Sequence, residues 1–300
     1  MEKLYIFLLI FLLVNIVLDL STKRYFHKNT FPENIVVDMK EDIEVPYVEE
    51  EQDIPKIIYR TYKKDKISKF QDVLDKTEKI TGYEQVIYDD EEIEDFIKKH
   101  YPERILKAYK SINPEYGAVK ADFFRYLLIY IKGGIYMDIK SGPVKNFNDI
   151  IEKEKGKLIV SYGTPYPNIL PLFHIKRFFN LTDDWSYFTG TSRSEIVQWF
   201  FISPKGNPIL KETIKQVVSN IEEGLKNPNL YSHGRFSVVA LAGPICFSKV
   251  VLRNKNSNKV KFYHSRLNQK LRHSISKDYV KVMGKEKYEQ IKNKNVLLTN

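Results

Sequence analysis

The sequence predicts a mixed α/β domain carried behind an N-terminal transmembrane helix. Three observations point there. From Ile54 onward, apolar runs of strand length alternate with helical patterns, the signature of a sheet flanked by helices. The strongest helical segment, "NPEYGAVKADFFRYLLIYIKGG", passes through two glycines straight into the short run "IYMDI". The chain also opens on an unbroken apolar stretch, Leu4 to Val14.

With Asn15 and Asp19 tolerated, that stretch covers residues 4–20, about 17 residues and the short end of what a bilayer requires. No alanine precedes Ala108, and only Ser21 and Thr22 offer small side chains after the run, so a cleavage site is poorly formed. Residues 1–28 therefore read as an uncleaved single-pass anchor with a basic flank, in contact with a lipid bilayer. A cleaved signal peptide and a buried helix are the alternatives. Lys23, Arg24 and Lys28 follow the run while Lys3 precedes it, which by the positive-inside rule puts the flank in the cytosol. The Asn180-Leu181-Thr182 sequon has meaning only on the other side. The side of the folded part stays open.

Residues 29–53 carry nine acids against Lys40 alone and no apolar period. They read as an acidic, extended stem. Their net −8 leaves +18 on the rest of a chain whose total is +10, a surface that favours anionic partners. Residues 54–300 form the folded domain. A single cysteine, Cys246, excludes an intramolecular disulfide or a cysteine zinc cluster and reads as a small buried side chain.

Within the domain, "IPKIIYRTYK" is a Pro-bounded first strand and "GYEQVIYDD" a second. "EEIEDFIKKHYP" is a helix ending before Pro102. In the long helix Asn113 suits the N-cap, Pro114 the first turn and Gly133 the left-handed C-terminal position. "KLIVSY" is a further strand, "WFFISPKGNPILKETIKQVVSNIEEG" a strand, turn and amphipathic helix, and "VVALAGPICFSKVV" a helix or strand broken at Gly-Pro.

Asp122 and Arg125 lie three apart on the long helix and share a face. Phe123, Phe124, Leu127, Leu128 and Ile131 surround them, so the pair reads as buried and positioned rather than as a surface salt bridge. Asp138 sits near the carboxyl end of an apolar strand, where ligands bind in open α/β sheets. Gly133 and Gly134 allow a sharp turn and a close approach.

These blocks, with "WFFISPKGNPIL" and "LAGPICFSK", resemble the sugar-transferase family containing a DxD motif (glycosyltransferase family 32). That family includes α-mannosyltransferases and, more distantly, the glucosylating domains of large clostridial toxins. The resemblance runs from about Ile54 to Val250. It implies a GT-A nucleotide-diphospho-sugar transferase fold: a mixed, mainly parallel sheet flanked by helices. It also implies hexose transfer, with retention, from a UDP- or GDP-sugar to a glycan or glycoprotein acceptor. By position, Asp122 and Arg125 match the residues that contact the donor sugar. Gly133, Gly134 and Tyr136 match the lead-in to the motif, and Asp138 matches its first aspartate, at the ribose and metal. Thr61 and Tyr62 end the strand that holds the base, although Tyr59-Arg60-Thr61-Tyr62 replaces the usual His-Gln-Thr-Trp. Ala242 precedes Gly243-Pro244, where the family commonly has Thr.

The chief departure is Lys140 at the second carboxylate, which in such enzymes holds Mn²⁺ or Mg²⁺ against the diphosphate. Three readings follow: Asp138 holds the metal with a later ligand, a carboxylate, His264 or His233; the Lys140 ammonium replaces the metal; or the site is degenerate. The corresponding functions are a membrane-anchored hexosyltransferase and a weak or inactive sugar-nucleotide or glycan-binding protein. No nucleic-acid motif is present, and the dispersed basic residues lack aromatic interleaving. Asp183-Asp184-Trp185 reads as a solvated turn or acceptor contact, Trp199 as core and Glu195 as a residue able to reach the donor sugar.

Overall fold

The computed structural model describes residues 37–162, 196–232, 234–263, 267, 270–273, 291 and 293–298. The apolar run 4–20 lies outside them, and among the described residues no helix is long and apolar enough to cross a membrane. Strands β1 (Ile57–Thr61), β2 (Glu84–Tyr88), β3 (Gly134–Met137), β5 (Leu158–Ser161), β6 (Phe200–Ser203) and β7 (Val260–Tyr263) form one sheet in the order β2-β1-β3-β6-β5-β7. The β1–β2, β1–β3 and β5–β7 pairs are parallel, and β6 runs antiparallel to both neighbours. The mixed, mainly parallel sheet expected from the sequence is therefore present. A second, two-stranded sheet pairs β4 (Gly142–Pro143) with β8 (Leu271–Arg272).

Alternation along the strands divides two cores. Tyr59, Tyr136 and Phe201 face one side. There α2 (Asp90–His100), α3 (Glu103–Lys110), α4 (Gly117–Lys132), α6 (Pro208–Lys226), α7 (Gly234–Leu241) and α8 (Pro244–Arg253) pack. Ile58, Ile135, Phe200 and Ile202 face the other, under Phe147 and α5 (Asn148–Lys153). The remaining helix, α1 (Gln71–Thr81), contributes Val73 to a small cluster with Phe70 and Ile139. "VVALAGPICFSKVV" is two helices, because Gly243 caps α8 and Pro244 occupies its first turn.

The long helix begins later than its Asn-Pro signal suggested. The Asn113 side chain accepts from Glu115 N, and Asn113 N donates to Val296 O. Asn113 thus makes a turn that latches the C-terminal segment, and α4 starts at Gly117. At its other end Gly133 and Gly134 both take positive φ. A Cβ on Gly133 would lie 2.8 Å from Lys205 N, and one on Gly134 would lie 3.0 Å from Ile57 O. Glycine is required at both for α4 to fold back into the centre of the sheet.

Residues 37–53, expected as part of a stem, run along the domain instead of away from it. Ile43 and Val45 enter the larger core, Tyr130 Oη donates to Pro46 O and Gln216 Nε2 donates to Val37 O. The acids meet the basic surplus: Asp42 pairs with Arg104, Glu41 with Lys215, Glu50 with Lys259, Glu51 with Lys205 and Asp53 with Lys155. Arg104 also hydrogen-bonds Glu222 and holds that carboxyl down at about 2. Most of these pairs are solvent-accessible, each contributing ~0–1 kcal/mol, so the buried apolar residues dominate the attachment.

Ile43, 1% exposed, and Tyr47, 86% exposed, test that ranking. In a denaturant titration Ile43→Ala lowers the unfolding free energy by about 2–4 kcal/mol, whereas Tyr47→Ala changes it by less than about 0.5 kcal/mol. Equal, small effects would show that residues 37–53 are not part of the folded unit.

Candidate donor site

The candidate site lies at the carboxyl ends of β1 and β3. The chain leaves β1 for β2 on one side and later places β3 on the other. In open α/β sheets ligands bind beyond the strand ends at such a reversal. Tyr136 and Asp138 point to the same face, which α4 covers. There Arg125 Nη2 lies 2.6 Å from Asp122 Oδ1 and 3.4 Å from Asp138 Oδ1. The guanidinium also donates to Gln198 O at 2.8 Å and to Ala121 O at 3.2 Å, and its Cζ sits 4.5 Å from the centre of the Tyr136 ring. Asp122 and Arg125 are buried, while the Asp138 side chain keeps 23% of its surface.

Burial dominates the electrostatics. It pushes the Asp122 carboxyl up to about 6 even though Arg125, a Gln198 hydrogen bond and Lys140 pull it down. It raises the Tyr136 hydroxyl above its usual range as well. Arg125 is held in its charged form by Tyr136, Asp122 and Asp138, which outweigh its own desolvation. The result is a rigid guanidinium tying one buried carboxylate to a partly exposed one.

Thr61 ends β1 with its Oγ1 3.1 Å from Tyr136 Oη. Tyr62 follows, with its ring 4.9 Å from that of Phe70 in an edge contact. The structure thus brings together Asp122, Arg125, Tyr136, Asp138 and Thr61, with Tyr62 at the rim. It places Gly133 and Gly134 at the opposite end of β3, where they serve the turn rather than the site. Lys140 follows Asp138 in a turn closed by Ser141 N donating to Asp138 O at 2.9 Å. Trp199 is half-buried, and its carbonyl accepts from Asp138 N at 2.8 Å. Cys246 is buried in the core, as expected. His264, His233, Glu195 and the Asp183-Asp184-Trp185 turn lie outside the described residues.

Two residues at the site, Gln198 and Arg60, were not among the candidates read from the sequence. Gln198 stands just before β6, accepts from Tyr126 Oη and touches both Asp122 and Arg125. Arg60, in the middle of β1, is fully buried, and burial brings its guanidinium down to about 10. A charge inside an apolar strand was the available hint for Arg60; for Gln198 only sequence adjacency to the strand existed.

A divalent cation needs several oxygen ligands. Among the described residues no group of three His, Cys, Asp or Glu side chains is arranged to hold one. Asp122 is committed to Arg125, Asp138 is shared with it, and an ammonium stands at the next motif position. This donor set does not fit a metal by itself.

The family described as "Glycosyltransferase sugar-binding region containing DXD motif" matches residues 27–157, so the resemblance drawn from the residue blocks holds. The initiation-specific alpha-1,6-mannosyltransferase of Schizosaccharomyces pombe is 28% identical over 221 residues, 70% of this chain and 50% of the yeast protein. Its namesake in Saccharomyces cerevisiae is 28% identical over 170 residues, 49% of this chain and 34% of that protein. The chain thus spans about half or less of these two relatives. Among solved structures, a PaToxG glycosyltransferase superposes with a TM-score of 0.44 at 19% identity, covering 68% of this chain and 71% of the other.

Asp122 gives a pH test of the buried pair. Its folded value, about 6, lies above the ordinary 3.8 of an aspartate, so between the two the folded state binds more protons than the unfolded one. Stability then falls as pH rises through that window. The stability of the wild type minus that of Asp122→Asn should drop, by up to about 3 kcal/mol, between about pH 4 and pH 6, then level off. Denaturant titrations across that range measure it; a flat difference contradicts the burial argument.

Proposed function

We propose that this chain is a membrane-anchored, retaining hexosyltransferase of GT-A architecture, using a nucleotide-diphosphate sugar and a glycan or glycoprotein acceptor. The observation that carries the reading is Arg125 bound at once to Asp122 and Asp138 at the carboxyl end of β3, inside the stretch that matches the sugar-binding region. Asp122 and Arg125 would fix the donor's sugar hydroxyls, since a buried, pre-oriented carboxylate and guanidinium lose little on binding a neutral polyol. Asp138, the more exposed carboxylate, would accept from the ribose. Thr61 and Tyr62 would border the base, with Tyr136 holding Thr61 and Arg125 in register. Residues 4–20 would hold the domain at a bilayer.

Lys140 takes the charge-neutralising role. A departing diphosphate gathers negative charge in the transition state, and a fixed ammonium stabilises it there more than in the ground state. In the DxD family a divalent cation, Mn²⁺ or Mg²⁺, supplies that charge. Here a lysine stands where its second carboxylate ligand would be, so no step is assigned to a metal. The hexose is mannose by analogy with the yeast relatives; the nucleotide is GDP or UDP. A second reading, a sugar-nucleotide or glycan-binding protein with little or no turnover, is favoured by the same Lys140.

Hydrolysis of GDP- and UDP-sugars, with and without Mn²⁺, separates the two. The transferase reading expects turnover that Asp138→Ala reduces by at least about 100-fold. Nucleotide binding without turnover would establish the binding protein. Lys140→Asp should lose activity or become newly dependent on Mn²⁺; an unchanged rate and metal profile would remove Lys140 from the mechanism.

A further inference from the structure

We infer that Arg60 is a positioning residue for this site, clamping the turn that carries Asp138 and Lys140 from the face of the sheet opposite Arg125. The role of the turn rests on the proposed function; the clamp itself rests on geometry. Tyr59 faces the core beneath α4, so its neighbour Arg60 faces the other side with Ile58. A guanidinium has five N–H groups, and the three nitrogens of Arg60 reach five acceptors. Nε donates to Gln85 Oε1 at 3.2 Å, Nη1 to Asp138 O at 2.8 Å and Ser141 O at 2.9 Å, and Nη2 to Thr77 Oγ1 at 3.1 Å and Met137 Sδ at 3.5 Å.

These contacts have a direction. Gln85 and Thr77 are themselves fixed, since Gln85 Nε2 donates to Leu74 O and Thr77 Oγ1 to Val73 O. They orient the guanidinium from β2 and α1. Its Nη1 then bridges the first and last carbonyls of the four-residue turn Asp138-Ile139-Lys140-Ser141, whose closing bond from Ser141 N shares the Asp138 carbonyl. Lys140 occupies the third position of that turn. Asp138 is consequently gripped twice: its carboxylate by Arg125 on one face, its carbonyl by Arg60 on the other. None of the five acceptors is a carboxylate, so Arg60 does not act by neutralising a contact anion. An apolar residue would fill the space without desolvating a charge, but it could not span two carbonyls three residues apart.

The test compares wild type, Arg60→Met and Arg60→Lys as full chains, with GDP-mannose and UDP-glucose as donors and rates expressed per folded, nucleotide-binding molecule. Displacing the turn should lower kcat about 100-fold in Arg60→Met, with donor KM changing less than about threefold. Lysine retains the charge but cannot reach both carbonyls and the other acceptors, so Arg60→Lys should stay at least about tenfold slow. Wild-type kcat in folded Arg60→Met, or full recovery in Arg60→Lys, would overturn the clamp. Should the variants fail to fold, hydrogen exchange in the wild type decides. The Ser141 amide should be protected as strongly as the β3 amides, and rapid exchange there would overturn the proposal. If the wild type turns over no sugar nucleotide, the transferase reading falls while this exchange measurement still judges the clamp.

Discussion

The site depends on a guanidinium placed where water is absent. Arg125 lies on a helix that is buried without a break from Asp122 to Tyr130, and its position is set by that packing rather than by its own ion pairs. Removing an arginine from water costs several kcal/mol. Here two carboxylates, two carbonyls and the face of Tyr136 offset that cost. Such an arrangement is stiff, because the partners are spread over three elements: α4 itself, β3 with the residue that follows it, and the segment entering β6. Toward the strand ends it holds the Asp138 carboxylate, partly exposed at 23%, in a fixed direction.

The same logic of compensated charge organises the exterior on a weaker scale. The chain concentrates its acids in residues 29–53 and its bases after them, and along residues 37–53 folding lays one against the other. Individually those exposed pairs contribute little. Their effect is to lower the net positive field of the domain while Ile43 and Val45 supply the attachment. At the site the balance differs: among the described residues, Arg60, Arg125 and Lys140 stand about Asp122 and Asp138. A local surplus of cation beside the strand ends suits a diphosphate.

Much of this was legible in the residues. The central helix, its Gly-Gly exit and the strand ending at Asp138 were readable because each depends on local rules: apolar period, positive φ, and the cost of an unpartnered buried acid. Asp122 with Arg125 was readable for the same reason. The start of the helix was not, because Asn113 looked like a cap and is instead spent on a turn with the C-terminal segment, a contact 180 or so residues away. The packing of residues 37–53 was hidden by their charge, since two buried apolar side chains make no period. Gln198 and the reach of Arg60 to Ser141 are consequences of strand order, which local patterns do not encode. Gly133 and Gly134 illustrate the converse: their motif position suggested the donor, while their backbone serves the turn.

The central claim is that the buried Arg125 pair builds a site for a sugar nucleotide. Calorimetric titration of GDP-mannose and UDP-glucose into wild type and Arg125→Lys tests it most directly, with far-UV circular dichroism checking that the variant is folded. The account predicts that one donor binds the wild type and that affinity falls at least about tenfold in the variant, because an ammonium cannot hold both carboxylates in the same plane. Equal affinity in a folded Arg125→Lys protein, or no binding of either donor to the wild type, would contradict it.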